Sequence, residues 1–162
     1  MGHMCVVIYA YLNSGTSGST KVANGVTDSA GNTYTQRVNS IYNPGQNLGV
    51  EIACYTAPVT TQILGTDSIT LTYSVSTQGR IVRIWDVSSN VAGPFYVASG
   101  SISDLLTSGQ TGTAVSMTTG SITSGDAVIC WAGNRTGTGS TTGDSDTTNG
   151  SWSANLTLTA TA

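Results

Sequence analysis

The stretch Asp67–Val87, DSITLTYSVSTQGRIVRIWDV, constrains the fold more than any other part of the chain. Ile69, Leu71, Tyr73 and Val75 alternate with Ser68, Thr70, Thr72 and Ser74. Successive side chains of a strand point to opposite faces, so this run has one apolar face and one hydroxyl face. Ser76-Thr77-Gln78-Gly79 reads as a turn, with Gly79 able to take positive φ. The return run carries Ile81, Arg83, Trp85 and Val87 on one face and Val82, Ile84 and Asp86 on the other. Apolar residues on both faces predict a strand inside a sheet rather than at its edge. The expectation is a β-hairpin with further strands laid around it.

The remaining chain repeats the same local chemistry. Cys5–Leu12 is a nearly continuous apolar run, which predicts a central strand buried on both sides. Asn13–Thr20 is a Gly/Ser/Thr loop, and Asp28-Ser-Ala-Gly-Asn32 is a turn before a short strand over Thr33–Val38. Asn43–Asn47 is a second turn, and Leu48–Thr56 alternates until Pro58 stops it. Further strands are expected at Phe95–Ala98, Ala114–Met117, Asp126–Ala132 and within Ser151–Ala162, with one helical turn at Ser101–Leu106. Many short strands with Gly-rich turns predict an all-β fold: a two-sheet antiparallel β-sandwich of jelly-roll or immunoglobulin-like topology. Its expected core includes Ile69, Leu71, Ile81, Val82, Ile84, Trp85, Val128, Ile129 and Leu156.

The chain has 162 residues, enough for one domain with a sizeable core. Met1–Met4 reads as a cloning leader and residues 5–162 as a single domain trimmed at its ends. Charged residues are only 8% of the chain, against roughly 25% in average soluble domains. The net charge is −3, and the basic residues Lys21, Arg37, Arg80, Arg83 and Arg135 are scattered, so no patch suits a phosphate backbone. No apolar run is long enough for a membrane-spanning helix. This neutral, hydroxyl-rich composition fits a virion or extracellular protein. Cys5, Cys54 and Cys130 each sit in an apolar run without CxxC spacing, which predicts buried free thiols and argues against a zinc site; one disulfide among them stays open.

Candidate chemistry is sparse. His3 is the only histidine and lies in the leader, so neither a Ser-His-Asp triad nor a histidine metal site is expected. Glu51 is the only glutamate. A glycosidase needs two carboxylates at one cleft, and Asp86 is the partner considered for Glu51; the alternative is a lone carboxylate facing solvent or bonded to an arginine. Asp144 and Asp146, with Asn149 nearby, offer oxygen ligands of the kind calcium takes, as do Asp28 and Asn32 less fully; Asp and Asn also simply favour turns. No other cofactor is expected. Trp152 and Tyr34 follow loops and could stack on a neutral sugar, whereas Trp85 and Trp131 lie mid-strand, where core packing is expected. Asn134, Asn149 and Asn155 open Asn-x-Ser/Thr triplets, which matter only in a eukaryotic secretory pathway.

A weak internal echo links Val6–Ala10 followed by Asp28–Tyr34 with Val128–Ala132 followed by Asp146–Trp152. Each is an apolar strand, a Gly/Ser/Thr loop and an Asp-turn-aromatic motif. The echo predicts that the loops Asn13–Thr20, Asp28–Asn32 and Gly133–Gly150 cluster at one end of the fold.

At VTDSAGNTY, GTDSITLTYS and SGDAVICWAG the chain resembles β-sandwich domains of bacteriophage tail and virion proteins and of bacterial secreted proteins. The shared elements are a DSxGNxY turn at Asp28–Tyr34, a GDxITLT strand at Gly65–Leu71 with Thr66 inserted, and a GDxVI strand at Gly125–Ile129. The resemblance implies a structural or binding module without catalytic residues or enzyme activity. Its implied partners are other virion subunits or a cell-surface glycan, with a homo-oligomer compatible and neither nucleic acid nor membrane. The competing readings are a carbohydrate-binding module of a secreted bacterial protein and, third, a glycosidase. The ligand-binding candidates on the first reading are Trp152, Tyr34, Asp144, Asp146 and Asn149.

Overall fold

The computed structural model describes residues 2–13, 22–42, 49–73, 78–89 and 129. Among them are six strands and no helix: β1 (Gly2–Asn13), β2 (Val22–Asp28), β3 (Thr35–Tyr42), β4 (Gly49–Pro58), β5 (Ile69–Tyr73) and β6 (Gln78–Ser89). They form two antiparallel sheets, one of four strands in the order β3-β4-β1-β6 and one of the pair β2-β5. The fold is all-β over the described residues.

The apolar run at Cys5–Leu12 behaves as its composition predicts. β1 lies between β4 and β6, and both of its faces are covered. Cys5, Val7, Tyr9 and Tyr11 join Ala53, Tyr55 and Ala57 of β4 and Val26 of β2 in one core cluster. Ile69, Leu71 and Tyr73 of β5 pack against that cluster. Met4, Val6 and Ile8, on the opposite face of β1, join Cys54 in a second cluster, against which Val38, Trp85, Val87 and Ile129 pack. Strand alternation alone produces this division, because odd and even residues of β1 point to opposite sides. Burying an aliphatic side chain of this size contributes roughly 1.5–3 kcal/mol, so β1 and β4 carry most of the described hydrophobic stabilisation. The strand begins at Gly2, so His3 and Met4 of the expected leader are part of β1, and Met4 is buried. The carbonyl of His3 accepts the Val59 N–H at 2.9 Å.

The expected hairpin does not form. β5 pairs with β2, with Val26 opposite Leu71 and Asp28 opposite Ile69, while β6 pairs along β1. The alternation of β5 is as read: Ile69, Leu71 and Tyr73 are half-buried and Thr70 and Thr72 exposed. One apolar face is what a covering layer needs, and β5 lays it over the first core cluster instead of pairing with β6. Gly79 is skipped in the β1–β6 pairing, where Tyr11 faces Arg80 and Leu12 faces Gln78; the bulge lies at the entrance to β6. Across this crossing the Arg80 guanidinium lies 5.2 Å from the centre of the Tyr73 ring, and Tyr73 meets Tyr11 edge-on at 5.3 Å.

β6 ends the four-stranded sheet among the described strands. Its even residues Arg80, Val82, Ile84, Asp86 and Ser88 are exposed, and Ile81, Arg83, Trp85 and Val87 are half-buried. Val82 and Ile84, read as core from sequence, are 38% and 47% exposed. They lie on the face that β2 and β5 cover over β1 and β4, at the margin that this two-stranded layer leaves open. Apolarity on both faces therefore does not bury the even residues of β6.

Two strands differ from the expectation: β2, ahead of the Asp28 turn, begins at Val22, and β3 continues past Val38 to Tyr42. Gly25 in β2 has φ +71°, and a Cβ there would lie 3.4 Å from Cε1 of Tyr55, so a glycine fits the close approach of the two sheets. Cys5 and Cys54 are buried and free, as expected. Cys130, Trp131, Val128, Leu156 and the segments expected at Asn43–Asn47, Phe95–Ala98, Ser101–Leu106, Ala114–Met117 and Ser151–Ala162 lie outside the described residues, as does Asp126–Ala132 apart from Ile129.

Candidate functional site

The Asp28–Tyr34 motif becomes a hydrogen-bonded junction at one end of the fold. Gly31 takes φ +85°, which closes the turn. Asp28 Oδ1 accepts the Asn32 backbone N–H at 2.9 Å. Asp28 Oδ2 accepts Asn32 Nδ2 at 3.0 Å and the Tyr34 hydroxyl at 2.9 Å. Asn32 is 6% exposed. Its Oδ1 accepts the backbone N–H groups of Thr60 and Thr61, both at 2.9 Å, and Thr60 Oγ1 at 3.2 Å, while Nδ2 also donates to the Thr61 carbonyl at 2.9 Å. One amide side chain thus ties the turn to the segment that leaves β4.

A second turn joins the same junction. Asp67 Oδ2 accepts the Leu64 N–H at 2.7 Å, and Asp67 Oδ1 accepts Ser29 Oγ at 2.7 Å. Ser29 and Ser68 exchange further bonds, Ser29 N to Ser68 O at 3.0 Å and Ser68 N to Ser29 Oγ at 3.1 Å. The two stretches that carried the family resemblance, DSAGNTY and GTDSITL, are therefore in contact. Burial pushes the Asp28 carboxyl up, but the donors of Asn32, Tyr34 and Gly31 outweigh it and hold it below the usual carboxylate range. Bonds from Leu64 and Ser29 lower Asp67 likewise.

The expected site residues are only partly visible here. Tyr34 is half-buried, its ring packs against the first core cluster, and its hydroxyl lies 3.5 Å from Cys5 Sγ as well as on Asp28. Asp28 and Asn32, the lesser calcium candidates, meet each other and the scaffold through the bonds just described. Trp152, Asp144, Asp146 and Asn149 lie outside the described residues, as do the loops Asn13–Thr20 and Gly133–Gly150 apart from Asn13. Among the described residues no group of three or more His, Cys, Asp or Glu side chains is placed to share a metal ion.

Glu51 does not face solvent, and it does not pair with Asp86. It is 0% exposed, accepts the Tyr9 hydroxyl at 3.1 Å on Oε1 and accepts the Tyr11 hydroxyl on Oε2. Tyr9 stacks with Tyr11 at 5.9 Å and with Tyr55 at 6.2 Å, so the carboxylate sits beside an aromatic cluster. Burial first, then Glu51, pushes the Tyr9 and Tyr11 hydroxyls far above the ordinary tyrosine value. Glu51 lies opposite Tyr11 and Asp86 opposite Cys5. Six residues of strand separate those positions, about 20 Å, which is too far for two carboxylates on one glycosidic bond. Sequence reasoning missed this cluster, although Tyr9 and Tyr11 at period 2 inside an apolar strand were its available signal.

Two surface features complete the description. A cavity of about 530 Å³ opens between β1, β6 and the segment after β4, lined by His3, Cys5, Val59, Ile63, Ile69 and Ile84 among others. His3 Nδ1 lies 2.9 Å from Asp86 Oδ1 at its mouth. The exposed row Arg80, Val82, Ile84, Asp86 and Ser88 runs beside it along β6. Comparison with protein-family models, with curated proteins and with solved structures finds no match.

Proposed function

We propose that this chain is a non-enzymatic β-sandwich module of a bacteriophage virion or tail, serving assembly or attachment to a host surface. The observation that carries this reading is the exposed row on β6. It sets Val82 and Ile84 in solvent on a chain whose surface is otherwise poor in charge and rich in hydroxyls. Contiguous exposed apolar residues rimmed by polar ones are what protein-contact surfaces present. The hydrogen-bonded junction at Asp28, Asn32 and Asp67 supports the same reading, because it makes the turn-and-strand motifs of the resemblance into scaffold. A rigid sheet with long Gly/Ser/Thr loops is also the usual platform for recognition.

The test is adsorption of the purified protein to bacterial surface polysaccharide, alongside Asp144→Ala, Asp146→Ala and Trp152→Ala variants checked for folding. Adsorption weakened by these changes supports glycan attachment through the Gly133–Gly150 loop and Trp152. Equal adsorption by the parent and all three variants removes that loop site. Adsorption to nothing leaves assembly as the role, and release of sugar from the polysaccharide overturns the non-enzymatic reading.

A further inference from the structure

We propose that the second face of the four-stranded sheet is covered by this chain's own segment Ala127–Trp131, seated through Ile129, rather than by a partner. This rests on the β-sandwich part of the reading above and names the layer that completes it. Met4, Val6, Ile8 and Cys54 on that face are 8%, 3%, 6% and 5% exposed. Among the described residues packed against them, Val38 belongs to β3, and Trp85 and Val87 to β6, all in the same sheet. Side chains stand roughly perpendicular to a sheet, so lateral neighbours shield the flanks of a side chain and leave its tip in water. Burial this deep needs a second layer about 10 Å above the first. The β2–β5 layer serves the other face, where Val26, Ile69, Leu71 and Tyr73 meet the first cluster. Ile129, from outside the sheet, packs on the second face.

The topology selects the occupant. β1 leaves the sheet at Asn13, opposite Gly49 at the start of β4. β3 ends at Tyr42 opposite Val50, and β6 enters at Gln78 opposite Leu12. The connections 14–21, 43–48 and 74–77 therefore all meet this sheet at one end. Met4 pairs with Pro58 and Val87 at the other end, about 30 Å along β1 from Asn13. The longest of these connections has eight residues. Going out and back, it reaches at most about 14 Å, too little to cover Met4 and Val6. The chain after Ser89, by contrast, leaves β6 opposite Gly2, beside the residues that need cover. Within it Val128-Ile129-Cys130-Trp131 is an unbroken apolar run between Gly125-Asp126 and Gly133-Asn134. The burial of the second cluster is reached within one chain, so no second copy is needed to account for it.

One free, buried thiol lies on each face of the sheet. Cys5 belongs to the first cluster and Cys54 to the second. Ile69 of the β2–β5 layer lines the same cavity as Cys5. A reagent reaches a buried thiol only when the layer over it opens, so the two cysteines report on the two layers separately.

The test is thiol labelling of the full native chain, each cysteine read separately by peptide mass mapping, on the parent and on Ile129→Ala, Ile129→Asp and Ile69→Ala. Ile129→Ala should raise the labelling rate of Cys54 about fivefold or more, and Ile129→Asp should raise it further, because a charge does not stay in an apolar contact. In both variants Cys5 should stay within about twofold of its parent rate. Ile69→Ala should do the reverse, speeding Cys5 and sparing Cys54. Far-UV circular dichroism confirms that each variant is folded, and Ile129→Ala carries the comparison where Ile129→Asp does not fold. Unchanged labelling of Cys54 in Ile129→Ala overturns the proposal. So does equal acceleration of both thiols, which would make Ile129 a residue of general stability rather than the cover of one face. Polysaccharide adsorption is measured separately, so a protein that adsorbs but labels against expectation removes this cover and leaves the host-attachment reading intact.

Discussion

Removing the Asn32 side chain should unfasten the junction between the Asp28 turn and the exit of β4. Asn32→Ala deletes the two bonds donated by Nδ2 and the three accepted by Oδ1. Each side-chain hydrogen bond contributes roughly 0.5–1.5 kcal/mol net, and a buried group left unpaired costs more. Thr60 and Thr61 are exposed, so water replaces part of what their N–H groups lose. The expected loss is therefore about 3–4 kcal/mol by urea denaturation, or a fall of about 10 °C in Tm for a domain of this size. Asn32→Asp is the sharper variant because it preserves shape. It would set a carboxylate oxygen 3.0 Å from Asp28 Oδ2 and 2.9 Å from the Thr61 carbonyl, where Nδ2 now donates. Two carboxylates so close share one proton, so the folded pair binds that proton above the usual carboxylate range. Its stability is then present at low pH and lost as pH rises from about 4 towards 7. The parent should slope the other way. Its Asp28 is held low when folded, so the contribution is present above the ordinary carboxylate pKa and lost as pH falls through the folded value. An Asn32→Asp protein as stable as the parent at neutral pH, or one with the parent's pH slope, would falsify the hub.

Four further outcomes follow from the packing. Glu51→Ala should cost about 3–5 kcal/mol in urea denaturation, since it strips the acceptor from two buried tyrosine hydroxyls; a loss below about 1 kcal/mol would show that Tyr9 and Tyr11 do not depend on it. In alkaline absorbance titration Tyr9, Tyr11 and Tyr34 should ionise only as the protein unfolds, because their raised folded values make stability fall as pH rises past about 10; reversible ionisation of all tyrosines near that pH would contradict their burial. Cys54, pushed up to about 11 by burial, and Cys5, raised by burial, should react slowly with a thiol reagent until the protein is unfolded; fast native labelling of both would refute their placement. Ile8→Ala should cost about 2–5 kcal/mol and Ile84→Ala within about 0.5 kcal/mol of nothing; equal losses would mean that Ile84 belongs to the core after all.

Local pattern was legible wherever one strand's own residues decided its state. The unbroken apolar run at Cys5–Leu12 could be buried only on both faces, and β1 is. The period of Ile69, Leu71 and Tyr73 could be satisfied only by one covered face, and β5 has one. Asp28, Gly31 and Asn32 spell a turn because each suits its position without help from afar, and the two thiols are buried because their neighbours are apolar. The junction was half legible. Its turn could be read, but not the segment it grips, because Thr60 and Thr61 are threonines like many others and only proximity makes them partners.

Pairing was decided by tertiary structure. Nothing in Asp67–Val87 distinguishes a hairpin from two strands sent to different sheets, because a short polar connection serves both. The outcome depends on which apolar face most needs cover, and that face belongs to β1 and β4, far away in sequence. The same holds for Val82 and Ile84, whose exposure follows from the width of the β2–β5 layer rather than from their own chemistry. It holds most for Glu51. A lone glutamate in a strand carries no sign of its partners, and it becomes a buried acceptor only because antiparallel register sets it beside Tyr11 and within reach of Tyr9. Among the described residues the sequence by itself marked β1, β3, β4, β5 and β6 as strands and Asp28–Asn32 as a turn, but not β2 ahead of that turn. Only the three-dimensional arrangement decided which strands are neighbours, because side-chain period is a property of one strand and pairing is a comparison among all of them.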